Sequence, residues 1–157
     1  MTHDADDDEL DAITGAILPT GEARPIASLW ATVDADRVVR ELRMHDVPVV
    51  ETLPDDPLLG ASIRLISQEH GRPIAVAEPN TEGRLAATLA RRGEGPAGRY
   101  TAMTLPLSEI ERRAAVAGIA LSRAAEGPFG RSVLVLGGPA GGPHLILVEM
   151  AAGTIDR

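Results

Sequence analysis

Two carboxylates and one guanidinium occur within or beside apolar, strand-like segments of this 157-residue sequence. Glu149 ends the last apolar run, Glu51 ends an earlier one, and Arg64 lies between Ile63 and Leu65. A carboxylate in an apolar cleft has a raised pKa and can act as a general base, and an arginine there binds a carboxylate or phosphate. Each carboxylate fits a solvent-facing position equally well. Strand alternation places Arg64 opposite its apolar neighbours, which favours solvent.

Aromatic and hydroxyl side chains mark two further strand-like segments. The chain has one Trp, one Tyr and one Phe, so its core must be aliphatic. Alternation puts Ser28, Trp30 and Thr32 on one face of the first segment, and Tyr100 and Thr104 on one face of the second. This pattern predicts a binding site for an organic molecule, in which the Trp and Tyr rings form the walls. The pattern fits equally well two rings that only fill the core.

Residue types that bind metals are sparse. There is no cysteine, which excludes disulfides, thiolate metal sites and a cysteine nucleophile. The histidines are His3, His45, His70 and His144, and none of them pair at ligand spacing. The first three fit surface positions, whereas His144 begins a strand and can face a cleft.

Composition excludes two classes of protein. With a net charge of −8 and few aromatic residues, the chain supplies neither phosphate neutralisation nor base stacking for a nucleic acid. No apolar run approaches the roughly 20 residues of a membrane span. The N-terminus is acidic where a secretory signal is basic and then apolar. The sequence predicts a cytoplasmic protein with no membrane or nucleic-acid partner.

Periodicity and turn residues predict the same order of elements twice. Each half has a β-prone run, a helix and three strands, and the equivalent strands that begin at Val47 and Ile119 are about 72 residues apart. The fold class we predict is α+β, with two tandem βαβββ modules that form a curled mixed sheet around a central cleft. The alternative is a single α+β domain with accidental pseudo-repetition.

Helix signals support this order. Asp34 and Asp36 can cap the first helix, and Ser108 to Glu111 has the form of a capping box for the last. The predicted divisions are an acidic disordered N-terminal tail at 1–23, a first module at 24–79, a linker helix at 80–95, a second module at 96–151 and a C-terminal tail at 152–157.

The segment from Glu78 to Gly95 resembles the linker of methylmalonyl-CoA epimerases, with Glu-Pro at the end of a strand, a short helix, and a basic residue before Gly-Glu-Gly. The segments Phe129–Leu136 and Leu145–Glu149 also look like strands of that family. The resemblance extends from Ile26 to Met150. It implies the vicinal oxygen chelate superfamily of glyoxalases, bleomycin-resistance proteins and dioxygenases, whose members share a fold and differ in chemistry.

The residues that hold a metal in this superfamily look lost in this chain. Metal enzymes of the superfamily typically have a histidine on the first strand of each half and Gln, Glu or His on each fourth strand. The stretches 26–33 and 96–104 contain no histidine, and alanines occupy the strand Ile74–Ala77 where a ligand is expected. Only Glu149 matches, and one carboxylate does not hold a divalent ion. We therefore expect neither a metal nor another cofactor.

Two classes of function remain open. The first is a metal-independent isomerase, epimerase or cyclase that moves a proton on a small oxygenated metabolite, in bacterial specialised metabolism. The resemblance places a functional carboxylate near Glu149, which would be the base, with Arg64 and Tyr100 stabilising negative charge. The predicted substrate-binding residues are Trp30, Ser28, Thr32, Thr104, Glu51 and His144.

The second class is a non-catalytic protein that sequesters a drug-like molecule between Trp30 and Tyr100, as bleomycin-resistance members do. Methylmalonyl-CoA epimerase activity is a third possibility, which the missing ligands weaken. The resemblance also implies a homodimer.

Overall fold

The computed structural model describes residues 2–18, 21–43, 49–136 and 142–150. Its helices are α1 (Thr2–Ile17), α2 (Ala35–Arg43), α3 (Arg84–Arg92) and α4 (Leu107–Ala117). Its strands are β1 (Ala23–Ala31), β2 (Val50–Asp56), β3 (Ala61–Ile66), β4 (Ile74–Pro79), β5 (Gly95–Met103), β6 (Ala125–Gly127), β7 (Gly130–Leu134) and β8 (His144–Glu149). No helix within these ranges has the length and apolar character needed to cross a membrane. The predicted C-terminal tail at 152–157 and His45 lie outside the described residues.

Local sequence explains two of the helix ends. The Asp34 carboxylate accepts a hydrogen bond from the backbone N–H of Arg37 at 3.0 Å and so caps α2, as its position predicts. Gly118, with a φ of 73°, ends α4 in the left-handed conformation. The predicted capping box at Ser108 is wrong, because α4 begins one residue earlier, after Pro106.

The eight strands form one sheet in the order β2-β3-β4-β1-β5-β8-β7-β6. β1 pairs with β4 in parallel, β5 pairs with β8 in parallel, and β1 joins β5 antiparallel. Each half therefore contains the strand, helix and three strands of a βαβββ module. The edge strands β2 and β6 also contact each other, so that the sheet curls until it is nearly closed. The predicted fold class is confirmed.

The curled sheet has an inner face that packs on itself and an outer face that helices cover. A core cluster on the inner face joins both modules, and its strand residues include Ala27, Leu29, Ala31, Ile63, Ala75, Ala77, Ala97, Tyr100, Leu134, Ile146 and Val148. On the outer face, α2 packs on β3 and β4 through Val39, and α1 and α4 pack on β7 and β8 through Leu10 and Ile110. Small aliphatic side chains thus fill the space inside the curl.

The structure corrects the expectation of a disordered acidic tail. Residues 2–17 form α1, and Leu10, Ile13 and Ile17 fall on one helical stripe because they are spaced by three and four residues. Leu10 and Ile17 are each 2% exposed, and the burial of such a side chain contributes about 1.5–3 kcal/mol. This apolar stripe outweighs the acidic composition that indicated disorder.

Candidate active site

One polar pair lies among the aliphatic side chains of the inner face. Tyr100 stands opposite Ala27 in the β1–β5 pairing, and its hydroxyl donates a hydrogen bond of 2.6 Å to Oδ2 of Asp56. Asp56 ends β2, and its Oδ1 accepts backbone N–H groups from Leu58 at 2.9 Å and from Leu59 at 3.3 Å. Tyr100 is fully buried and Asp56 is 1% exposed. The pair therefore brings together β5 of the second module and β2 of the first.

A β-bulge at Gly98 turns Tyr100 inward. Ala97 and Tyr100 both belong to the inner cluster although they are three residues apart, which regular alternation does not allow. Gly98 has a φ of 139°, and a Cβ at this position would approach the carbonyl oxygen of His144 to 1.9 Å. Only glycine fits this close contact between β5 and β8.

Burial perturbs the pKa of both members of the pair. Desolvation raises the pKa of Asp56, although the hydrogen bonds from Tyr100 and from the Leu58 and Leu59 amides act in the opposite direction. Desolvation, followed by the charge of Asp56 and their hydrogen bond, raises the pKa of Tyr100 well above its ordinary value. Tyr100 is thus a neutral donor, and Asp56 has a higher proton affinity than a solvated carboxylate.

Phe129 covers this pair from the loop between β6 and β7. Its ring packs edge-on against Tyr100 with a centroid distance of 4.8 Å and an interplanar angle of 60°. Leu53, Leu58 and Leu65 are partly buried and pack against the inner cluster that contains Tyr100. The pair is therefore enclosed in an aliphatic and aromatic environment, where electrostatic interactions are strong.

The inner-face core cluster offers few ligand atoms for the divalent ion that metal enzymes with this fold hold. On β8, His144 shares the alternation of Ile146 and Val148, and its Nε2 contacts Oγ1 of Thr88 at 2.7 Å. The cluster members on β1, β4, β5 and β8 are Ala27, Leu29, Ala31, Ala75, Ala77, Ala97, Tyr100, Ile146 and Val148. Of these only Tyr100 has an oxygen donor on its side chain, and that oxygen is bonded to Asp56. In the part of the chain that the structure describes, no three His, Cys, Asp or Glu residues are grouped so that they could hold a metal.

Two of the three predicted catalytic residues lie on the outer face. Glu149 accepts a hydrogen bond of 2.7 Å from the backbone N–H of Leu107, which places its charge at the N-terminus of α4. Arg64 forms an ion pair with Asp36 of α2. Of the predicted catalytic set, only Tyr100 faces the interior of the curl.

Trp30 and Tyr100 lie on opposite faces of the sheet. Leu29 and Ala31 belong to the inner cluster with Tyr100, so Trp30 between them must point outward. Trp30 is 36% exposed and, with Ser28, lines a cavity on the outer face. The two rings therefore do not form the walls of one site.

Thr32 belongs to a cluster that ties the linker to the first module. Its hydroxyl bonds to the carboxylate of Glu94, which also accepts the Val33 N–H at 3.0 Å and the Arg37 guanidinium at 2.6 and 2.7 Å. The Thr32 hydrogen bond, followed by that from Val33 and the charge of Arg37, lowers the pKa of Glu94. Glu94 is the acidic residue of the epimerase-like Gly-Glu-Gly stretch, and its contacts here are structural.

The remaining predicted binding residues are dispersed. Thr104 is exposed and bonds to Glu22, and Glu51 is exposed on β2. His144 is buried, with Nε2 at 2.7 Å from Oγ1 of Thr88. The Thr88 hydroxyl donates to the carbonyl of Arg84 at 3.0 Å, so Nε2 of His144 is assigned as the protonated nitrogen.

Burial, followed by the charges of Arg84 and Arg92, lowers the pKa of His144 to about 4. His144 is therefore a neutral link between β8 and α3.

Sequence reasoning missed Asp56, the partner of Tyr100. The signal was the Pro54-Asp55-Asp56-Pro57 stretch, which reads as a turn. An aspartate in such a turn bonds to backbone N–H groups two and three residues on, as Asp56 does. Nothing in the local sequence indicates that its second oxygen meets Tyr100, 44 residues away.

Solved structures share this architecture, whereas no protein-family model and no curated protein matches the chain. Methylmalonyl-CoA epimerase from Mycobacterium tuberculosis matches with a TM-score of 0.68 and 22% identity, over 85% of this chain and 93% of that one. A methylmalonyl-CoA epimerase in complex with methylmalonyl-CoA and NH4+ matches with a TM-score of 0.66 and 17% identity, over 84% and 97%. A hypothetical protein from Bacillus halodurans C-125 matches with a TM-score of 0.66 and 16% identity, over 82% and 95%.

These matches show the fold of the chain. It has the vicinal oxygen chelate fold, as the resemblance in its linker implies. Identities of 16–22% do not carry the activity of the solved proteins to this chain.

Proposed function

We propose that this protein is a metal-independent enzyme that moves a proton at the carbon beside a carbonyl group of a small oxygenated molecule. The observation that carries the proposal is the Asp56–Tyr100 pair, a carboxylate and a phenol 2.6 Å apart in an apolar interior. A carboxylate whose pKa is raised by burial is a stronger base than a solvated one, and groups with perturbed pKa values concentrate at catalytic sites.

The pair supports a two-part proton transfer. The Asp56 carboxylate removes the proton, and the electrons of the C–H bond move through the carbonyl carbon onto oxygen to form an enolate. Protonated Asp56 is a weaker acceptor, so the Tyr100 hydroxyl turns from it and donates to the enolate oxygen. Return of the proton from Asp56 to the same face of the carbon restores the substrate, with exchange if the proton on Asp56 has exchanged with solvent. Return to the other face, after the enolate turns over within the site, restores the carbonyl and completes an epimerisation.

In this proposal Phe129 controls entry to the pair. Phe129 lies on the loop that precedes β7, and its ring edge lies against Tyr100. A substrate reaches the pair when this ring moves away and the aliphatic interior, rich in alanine, excludes water around the enolate. An apolar environment of this kind suits a substrate whose reacting part is small.

The proposal is tested by hydrogen exchange into candidate substrates. The protein is incubated in D2O with methylmalonyl-CoA, other acyl-CoA thioesters and 2-oxo acids, and deuterium at the α-carbon is followed by NMR. Asp56→Asn and Tyr100→Phe should each slow the exchange by about 100-fold or more, the usual loss for a general acid or base. Folding of each variant is checked by circular dichroism.

Glu149→Gln is the matched control, because it neutralises the carboxylate that the family resemblance favours as the base. The proposal predicts that it leaves exchange unchanged, as should Arg64→Gln. Loss of exchange in Glu149→Gln together with full activity in Asp56→Asn would refute the proposed site. Exchange in methylmalonyl-CoA alone, accompanied by inversion of configuration at the α-carbon, would identify the epimerase reaction.

A second candidate is non-catalytic binding of a small molecule, and the exposure of Trp30 favours it. Tyr100 and Trp30 cannot hold one ligand between them, so this function rests on the outer face. Exchange with none of the candidates, combined with a ligand that shifts the Trp30 signals, would favour it.

The homodimer remains a prediction, which analytical ultracentrifugation tests directly. The cytoplasmic location also remains a prediction, and cell fractionation tests it.

A further inference from the structure

We propose that the outer face carries a separate binding site for a planar aromatic carboxylate, between α1 and the β1–β5 pair. The site is a cavity of about 410 Å³, called here the Trp30 cavity. Its lining includes Leu10 of α1, Ser28 and Trp30 of β1, Arg72, Ile74 and Pro96. The inference is independent of the Asp56–Tyr100 pair, which lies on the other face of the sheet.

The first argument is the aromatic wall. Trp30 is the only tryptophan, and it lies in the middle of the sheet with 36% of its surface exposed. Leu10, Ile74 and Pro96 supply apolar surface around it. A ring that stacks on Trp30 gains burial and quadrupole interactions without ordering any new chain segment.

The second argument is positive charge at the cavity. Arg72 lines it and is exposed, and its guanidinium has no ion pair among the residues described. The Gln68 amide donates to the Arg72 carbonyl at 3.1 Å, which holds this turn together. Arginine donors bind a carboxylate through charge-assisted hydrogen bonds, often two at once.

The third argument is a buried donor beside the cavity that has no acceptor. Arg99 is opposite Ser28 in the β1–β5 pairing and is 4% exposed. Its NH2 donates to Asp11 at 2.5 Å, but its Nε has no hydrogen-bond partner in the described structure. Buried guanidinium donors without an acceptor are rare. Arg99 does not itself line the cavity, so it adds an incompletely satisfied cation behind Ser28, and direct contact with the ligand falls to Arg72.

The acidic residues of α1 do not cancel this charge. Asp6 forms an ion pair with Arg92 at 2.5 Å, and Asp11 forms one with Arg99. Asp7, which also lines the cavity, is likewise engaged in an interaction. With those carboxylates engaged, Arg72 is the cation that remains available to a ligand.

The test uses the single tryptophan as the reporter. A 15N-labelled sample gives one indole N–H cross-peak, from Trp30, and this peak is followed during titration with 2-naphthoate and with the isosteric 2-naphthamide. Saturable shifts by the carboxylate, with binding at least about tenfold weaker for the amide, are expected from the charge-assisted bond. Arg72→Gln should remove that preference, and Arg64→Gln, an outer-face arginine paired with Asp36, should retain it.

Two further results separate the outcomes. Tyr100→Phe should bind 2-naphthoate as the wild type does, so that failure of the proton-transfer function leaves this site intact. Equal affinity for the amide and the carboxylate, or unchanged binding in Arg72→Gln, would overturn the carboxylate assignment. A Trp30 peak that shifts with protein concentration and is insensitive to both compounds would show that a second copy of the chain occupies this face, and would overturn the site.

Discussion

His144 makes the stability of this protein sensitive to moderately acidic pH. Its folded-state pKa is about 4 against an ordinary value of 6.5, and it is 4% exposed. Because the folded-state pKa is lowered, the contribution of His144 is fully present above pH 6.5 and is lost as the pH falls towards 4. A shift of this size corresponds to about 3 kcal/mol, with a slope of about 1 kcal/mol per pH unit across the window.

The assay is urea unfolding followed by circular dichroism at several pH values between 7 and 4.5. In His144→Gln the side chain stays neutral, so the free energy of unfolding should vary much less with pH. The variant loses about 1 kcal/mol at pH 7 if its bond to Thr88 is not replaced, and this deficit should shrink or reverse as the pH falls. His70→Gln, at an exposed histidine, serves as the control and should keep the wild-type slope. Equal slopes in His144→Gln and the wild type, or an NMR titration of the His144 ring near pH 6.5, would refute the reasoning.

Three other predictions concern stability. The pKa of Asp56 is raised, so its contribution to stability is present below its unfolded pKa and is lost as the pH rises through its folded pKa. Asp56→Asn, which stays neutral, should therefore gain stability relative to the wild type as the pH rises above the unfolded pKa, measured by urea unfolding. Glu149→Ala removes the hydrogen-bond acceptor at the start of α4 and should lower the free energy of unfolding by about 1 kcal/mol, with faster amide exchange in the first turn of the helix. Glu126→Ala, at an exposed position on the edge strand β6, should change neither the free energy of unfolding nor the exchange rate. Asp11→Asn weakens the ion pair with buried Arg99 and should lower the free energy of unfolding by about 1 kcal/mol. High salt should not reproduce this loss in full, because Arg99 is buried and therefore poorly screened. An unchanged unfolding midpoint would mean that α1 is held by its apolar residues alone.

The repeated module was predictable because its signals are local. Turn residues and changes of period mark most strands and helices within a few positions along the chain, and two copies of the pattern reinforce one another. The strand predicted to begin at Ile119 is an exception, because β6 begins only at Ala125. The Asp34 cap of α2 is a signal of this kind and formed as predicted. The acidic residues of α1 were misleading, since composition there concealed the stripe of Leu10, Ile13 and Ile17.

The candidate site was only partly predictable, because it depends on which face of each strand points inward. Alternation correctly groups Ser28 with Trp30 and separates Arg64 from Ile63, but it does not say which group faces the interior. The bulge at Gly98 then shifts the alternation along β5.

The sequence by itself determined the order of elements within the two modules and the aliphatic nature of the core. Only the tertiary structure decided that Tyr100 meets Asp56 inside the curl while Trp30 and Glu149 lie outside it. The physical reason is that helix and turn signals act over a few residues. In contrast, contacts between residues far apart in the chain decide which face of a sheet points inward. Such contacts also decide which partner a buried polar group finds.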